Sequence, residues 1–139
     1  MIKIRIGIVD DHSIVRSGLR QYFEDQSDLQ VVGEAASGRA AVEMVRTTAL
    51  DVLIMDLSMP GQTGADAIVQ IHARAPSLAI LVLSGYPDEH YAVDLIRKGA
   101  SGYLNKQCDP SEIVTAIRTV AHGRRYITAT VAELLVQQL

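Results

Sequence analysis

The chain has 139 residues, of which 48% are apolar and 21% charged, values ordinary for one globular domain with a sizeable core. Thirteen basic and sixteen acidic residues leave a net charge of -3, which argues against a nucleic-acid-coating surface on this segment. The single cysteine, Cys108, cannot close an internal disulfide, and the longest apolar run, Leu78–Leu83, is far short of the roughly 20 residues of a membrane span.

The amino terminus, Met1-Ile2-Lys3-Ile4-Arg5-Ile6, alternates charged and apolar residues and lacks the layout of a signal peptide. The expectation is a cytoplasmic protein with no membrane association. Strand patterns follow at Lys3–Val9, Leu29–Ala35, Asp51–Met55, Leu78–Leu83 and Ser101–Leu104. The third and fourth are almost continuously apolar, which suits parallel strands covered on both faces.

Helical patterns separate the strands. Leu19, Tyr22 and Phe23 share a face in the first helix, and Ala41, Val42 and Val45 share one in the second. Asp109-Pro110-Ser111-Glu112 opens the fifth helix: Asp109 can cap it, Pro110 fits the first turn, and Glu112 can complete a capping box. Gly99 and Gly123 stand where C-terminal caps of the fourth and fifth helices belong. Arg124–Thr128 reads as a connector, and Thr130–Leu139 as a sixth helix with Val131, Leu134 and Leu135 on one face. The alternation predicts an α/β fold, a flavodoxin-like doubly wound (βα)5 sheet in the order 2-1-3-4-5, with an additional C-terminal helix.

Four of the apolar runs end on polar, chemically capable residues: Asp10-Asp11, Asp56, Ser84 and Lys106. Open α/β sheets bind ligands outside the carboxyl ends of their strands, so these groups converge on one edge. Hard carboxylate oxygens suit Mg2+, and a hydroxyl and an ammonium suit phosphoryl oxygens. Taken singly, each has a plainer reading. Asp10-Asp11 could be a solvated helix start, Ser84 a turn residue and Lys106 a surface lysine; Asp56 at the end of the central strand is what joins them into a site. His12, one imidazole beside hard oxygen ligands, is read as structural, and Cys108 as an incidental loop thiol.

Asp10-Asp11, the stretch Met55-Asp56-Leu57-Ser58-Met59-Pro60-Gly61, Ser84, and Tyr103 with Lys106 resemble the receiver domain of two-component response regulators. Asp10-Asp11-His12 with Arg16, Gly18 and Leu19, and the segment from Gly123 to Leu135, resemble the subfamily with a LuxR-type helix-turn-helix output domain. The resemblance implies a receiver domain over 1–123 and a linker over 124–139 leading to a DNA-binding domain absent from this chain. It also implies that Asp56 is the phosphoacceptor for a sensor histidine kinase. Asp10, Asp11, Asp56 and the backbone carbonyl of Ser58 would serve Mg2+, Asp10 through water. Ser84 and Lys106 would bind the phosphoryl group, while Tyr103 turns inward to report it. Phosphorylation could produce a homodimer, and the readout surface would run over His90–Lys98, Ser101–Leu104 and Ser111–Ala121.

The sequence departs from the family pattern where Gln107 rather than proline follows Lys106, where serine rather than threonine stands at 84, and at Gly85. Such a domain is a self-modifying switch rather than an enzyme acting on an external substrate. A standalone receiver without DNA-binding output is the alternative reading. A dehalogenase-like phosphatase is disfavoured because Ser58 stands where its second aspartate belongs, and nucleotide binding because no glycine-rich phosphate motif occurs.

Overall fold

In the computed structural model, which describes residues 2–57, 64–85 and 89–138, the five expected strands all form. They are β1 (Ile4–Val9), β2 (Leu29–Ala35), β3 (Val52–Asp56), β4 (Ala79–Ser84) and β5 (Gly102–Asn105). Between and after them run α1 (Ser13–Glu24), α2 (Gly38–Thr47), α3 (Gly64–Arg74), α4 (Glu89–Lys98), α5 (Pro110–Ala121) and α6 (Ala129–Gln137). The sheet is parallel throughout, in the order β2-β1-β3-β4-β5.

Every residue of β3 and β4 is buried, because helices cover both faces. Ile8, Ile54 and Leu81 pack with Phe23 of α1 and Ile113 and Ile117 of α5 on one side. Leu53, Met55 and Val82 pack with Met44, Ile68 and Leu95 of α2, α3 and α4 on the other. Each fully buried aliphatic side chain contributes roughly 1.5–3 kcal/mol. The strands β3, β4 and β5 end one residue later than the apolar pattern suggests. Their ladders continue through Leu57 N–H to Leu83 O (3.4 Å) and Lys106 N–H to Ser84 O (2.8 Å). Asp56 and Ser84 are therefore the last residues of strands and share the sheet's rigidity.

Two glycines on adjacent strands admit a side chain from above. β1 and β2 slip register between Ile6 and Gly7, which brings Gly7 opposite Gly33. A Cβ at Gly33 would lie 2.6 Å from Met44 Sδ, and one at Gly7 2.9 Å from Met44 Cε. The methionine thus seats α2 on the sheet. Gly99, at the end of α4, has φ 127° and its missing Cβ would lie 2.6 Å from His72 Cγ. Strain and collision coincide there, so Gly99→Ala is expected to destabilise the protein by about 1–3 kcal/mol in denaturant unfolding. Gly18→Ala, on an exposed stretch of α1 with nothing within 4 Å of the added carbon, is expected to be neutral or stabilising.

Asp109 caps α5 by accepting from Ser111 N–H at 2.9 Å. Glu112, expected to reach back and complete a capping box, instead accepts the Tyr126 hydroxyl at 3.1 Å. That bond belongs to a connector more ordered than its sequence suggests. Tyr126 forms a parallel bridge with Gly102, and Tyr103 N–H donates to Tyr126 O at 3.2 Å. Beyond it, Thr128 caps α6, and Val131 is buried against Ala92 and Val93 of α4. The sixth helix therefore folds back on α4, with Arg97 Nη1 donating to Gln138 Oε1 at 2.7 Å.

Across the opposite face, Arg118 of α5 forks onto Asp28 before β2, through Nε (2.8 Å) and Nη2 (3.0 Å). The guanidinium holds the Asp28 carboxyl below the usual carboxylate range. Both groups are about a third or more exposed, so after discounting for solvent screening the pair contributes only about 0.5 kcal/mol. Because the folded-state pKa is depressed, that contribution is present above the ordinary aspartate pKa and is lost as pH falls through the folded value. Arg118→Ala is thus expected to lower the melting temperature at neutral pH, with the difference closing below about pH 4.

Candidate functional site

Among the described residues, the buried polar or charged side chains are Asp10, Asp56 and Ser84. Asp10 directly follows β1, Asp56 ends β3, and Ser84 ends β4. A buried polar group is costly unless it has partners or a purpose. Three of them at the carboxyl ends of adjacent strands mark a site.

The carboxylates of Asp10, Asp11 and Asp56 and a ring nitrogen of His12 all offer ligand atoms within 4.8 Å of one another. Lys106, just past β5, reaches across β4 to place Nζ 2.6 Å from Asp56 Oδ2. Asp10 is held from three sides. Its N–H donates to Ala35 O (3.0 Å), its Oδ1 accepts from His12 N–H (2.8 Å), and its carbonyl accepts from Arg16 Nη1 (2.5 Å). Burial pushes its carboxyl above the usual range, the His12 amide opposes this, and the neighbouring Asp56 adds to the rise. Crowded carboxylates of this kind favour either a proton or a cation.

Asp11 supplies a sharper sign. Its Oδ1 is shut off from water yet makes no hydrogen bond, although His12 Nδ1 lies 2.9 Å away in poor geometry. An orphaned carboxylate oxygen beside two buried carboxylates fits a hard divalent cation, and the oxygen-rich donor set suits Mg2+. The His12 side chain is 64% exposed. Its Nδ1 lies 3.2 Å from Asp10 Oδ1.

Ser84 and Tyr103 stand on one face of the sheet, one alternation apart. Val82 pairs with Tyr103 and Ser84 with Asn105, and alternate residues share a face. Tyr103 is half-buried, against Ala92, Val93 and Val131. The structure thus joins Asp10, Asp11, Asp56 and Lys106 directly and sets Ser84 and Tyr103 at the same edge. Ser58 and its neighbours Met59-Pro60-Gly61 lie outside the described residues. Cys108 is half-buried, and burial and Glu112 raise its pKa, so it is a poor nucleophile.

Arg16 has a part that its spacing alone did not disclose. Besides the Asp10 carbonyl, it holds Glu34 Oε1 through Nε at 3.0 Å, while Arg20 Nε holds Glu34 Oε2 at 2.8 Å. Burial raises the Glu34 pKa, but the two guanidinium groups more than offset this and keep it below the usual range. The signal was present in the order of residues: an arginine one turn into a helix can reach back to the strand end that precedes it.

Comparison with known proteins places this geometry. Residues 6–118 match the response regulator receiver domain family. The chain is 41% identical over 130 residues to the response regulator UvrY of Escherichia coli (strain K12), covering 94% of this chain and 60% of that protein. It therefore spans about 60% of the length of that relative. A crystal structure of a LuxR-family two-component response regulator from Aurantimonas sp. SI85-9A1 superposes with a TM-score of 0.88 at 35% identity, covering 98% of this chain and 97% of that one. The isolated receiver of RcsB from Salmonella enterica serovar Typhimurium, solved in the presence of the phosphomimetic BeF3-, superposes at 0.83 and 30% identity, covering 96% and 99%. The chain belongs to the response regulator receiver domain family.

Proposed function

We propose that Asp56 accepts a phosphoryl group from the phosphohistidine of a sensor histidine kinase, and that the resulting change of shape controls transcription through a DNA-binding domain outside this chain. The observation that carries the reading is the arrangement of buried Asp10 and Asp56, the orphaned Asp11 oxygen and the Lys106–Asp56 contact at 2.6 Å. A carboxylate oxygen of Asp56 attacks phosphorus, the phosphorus–nitrogen bond to the imidazole breaks, and an aspartyl phosphate forms. Mg2+, held by Asp10, Asp11 and Asp56 with the Ser58 carbonyl, would offset the negative charge shared by carboxylate and phosphoryl group. Lys106 transfers its contact from the Asp56 carboxylate to a phosphoryl oxygen. Ser84 donates its hydroxyl to another oxygen.

In this reading 1–123 is the receiver and 124–139 the linker towards the output domain. Ser84 and Tyr103 share a sheet face, so a shift of the hydroxyl towards the phosphate frees space that the Tyr103 ring can enter. The new charge-assisted hydrogen bonds exist only in the phosphorylated protein and bias a pre-existing equilibrium. The signal emerges over α4, β5 and α5, where a second receiver would dock if phosphorylation produces a homodimer. α6 already rests on part of that surface.

Incubation with Mg2+ and acetyl phosphate tests the chemistry. Intact-mass measurement should show one added phosphoryl group that hydroxylamine removes, and chelation of Mg2+ before mixing should prevent its uptake. Beryllofluoride with Mg2+ should also move the Tyr103 ring resonances. An unchanged mass would overturn the proposed chemistry, and unchanged Tyr103 resonances would overturn the switch.

A further inference from the structure

We propose that Arg16 is a positioning residue for the cation site: it fixes the peptide between Asp10 and Asp11 so that both carboxylates face the cluster before metal arrives. This rests on the cation-binding reading of that cluster. Asp10 is the first residue after β1, and α1 begins three residues later at Ser13. A turn this short leaves few backbone partners, and among the described residues no backbone N–H donates to that carbonyl.

Arg16 supplies the missing donor. Its Nη1 lies 2.5 Å from the Asp10 oxygen, and its Nε is anchored 3.0 Å from Glu34. The side chain is only 17% exposed, and its bond to the Asp10 carbonyl is partly buried. Arg20 takes the other Glu34 oxygen, while Arg16 keeps its own bond to Oε1. Glu34 on β2 thus anchors a guanidinium that holds the Asp10–Asp11 peptide, and rotation of that peptide would swing Asp11 Oδ1 away from Asp10 and Asp56. Planarity matters, because two donors of a single guanidinium serve two acceptors at once. A lysine has one donor centre on a flexible stem and can hold either partner firmly, not both.

The same contacts could serve stability alone, and Arg20 separates the two roles. Arg20 shares Glu34 with Arg16 but has no recorded contact with Asp10. Following the Asp10, Asp11 and His12 amide resonances during a MgCl2 titration gives the affinity, and thermal unfolding without metal gives the stability. Arg16→Ala is expected to weaken Mg2+ binding about tenfold or more, in the range for a lost outer partner of a metal ligand. Arg16→Lys should recover part of that loss. Arg20→Ala should stay within about twofold of wild type, even where its melting temperature falls as far as that of Arg16→Ala. Acetyl phosphate kinetics should then show the Arg16→Ala defect in the Mg2+ concentration required, with the rate at saturating Mg2+ largely kept.

Wild-type affinity in Arg16→Ala, or equal weakening in Arg16→Ala and Arg20→Ala, overturns the positioning role while leaving the cation site standing. Absence of Mg2+-dependent shifts in the wild-type protein overturns both. Should Arg16→Ala fail to fold, Arg16→Gln and Arg16→Lys carry the same comparison.

Discussion

Asp56→Asn is expected to abolish phosphoryl uptake from acetyl phosphate while leaving the fold intact. Asparagine has nearly the same shape, and position 56 ends a strand whose backbone is fixed on both sides by β1 and β4. What changes is chemistry: a carboxamide nitrogen or oxygen is a poor nucleophile towards phosphorus, and it cannot give an acyl phosphate. The loss should be complete by intact mass. Mg2+ affinity should fall roughly tenfold or more, because the proposed ligand would be replaced by a neutral group. Asp10 would feel the change as well, since the neighbouring Asp56 helps to hold its pKa up. Phosphate appearing at unchanged yield on the variant would place the acceptor elsewhere.

The second large effect is expected from Lys106→Ala. Lys106 Nζ is 2.6 Å from the Asp56 carboxylate, which is only 2% exposed, while the lysine itself is 29% exposed. Without the ammonium, the buried Asp56 carboxyl would stand beside Asp10 and Asp11 without that positive partner. Removing one member of such a pair costs more than the pair contributes, because the remaining charge stays desolvated. In the absence of Mg2+, stability should fall by about 1–3 kcal/mol, and added Mg2+ should recover part of it by supplying charge at the same carboxylates. Uptake from acetyl phosphate should slow by about 100- to 1000-fold, as for the loss of one preorganised donor to a charge-bearing oxygen. The Tyr103 response should weaken too, because one hydrogen bond that distinguishes the phosphorylated form would be gone. A variant with wild-type rate and unaltered Tyr103 resonances would remove Lys106 from the mechanism.

The strands were legible in the sequence because burial on both faces forces continuous apolar runs, and Asp51–Met55 and Leu78–Leu83 suit such strands. Their last residues were less legible. Asp56 and Ser84 are polar, so hydrophobicity stops before them, yet the neighbouring ladder carries the backbone on by one residue. Side-chain identity also could not say which of several partners a group would choose. Glu112 has the spacing of a capping box but meets Tyr126, a residue brought in by a connector that joins the edge of β5. The docking of α6 on α4 likewise rests on tertiary contacts, Val131 against Ala92 and Val93. The site was visible as a row of strand-end residues, since parallel topology collects those ends whatever lies between them. Arg16 was visible only as part of a motif, because its role depends on Glu34, eighteen residues away on another strand.

The most direct measurement is borohydride reduction of the protein after reaction with Mg2+ and acetyl phosphate, followed by peptide mass mapping. Reduction converts an aspartyl phosphate into homoserine at the modified position. The phosphoacceptor assignment requires homoserine at position 56 and at no other aspartate. Homoserine at position 10 or 11, or a stable phosphate on Ser84 with position 56 unchanged, would contradict it.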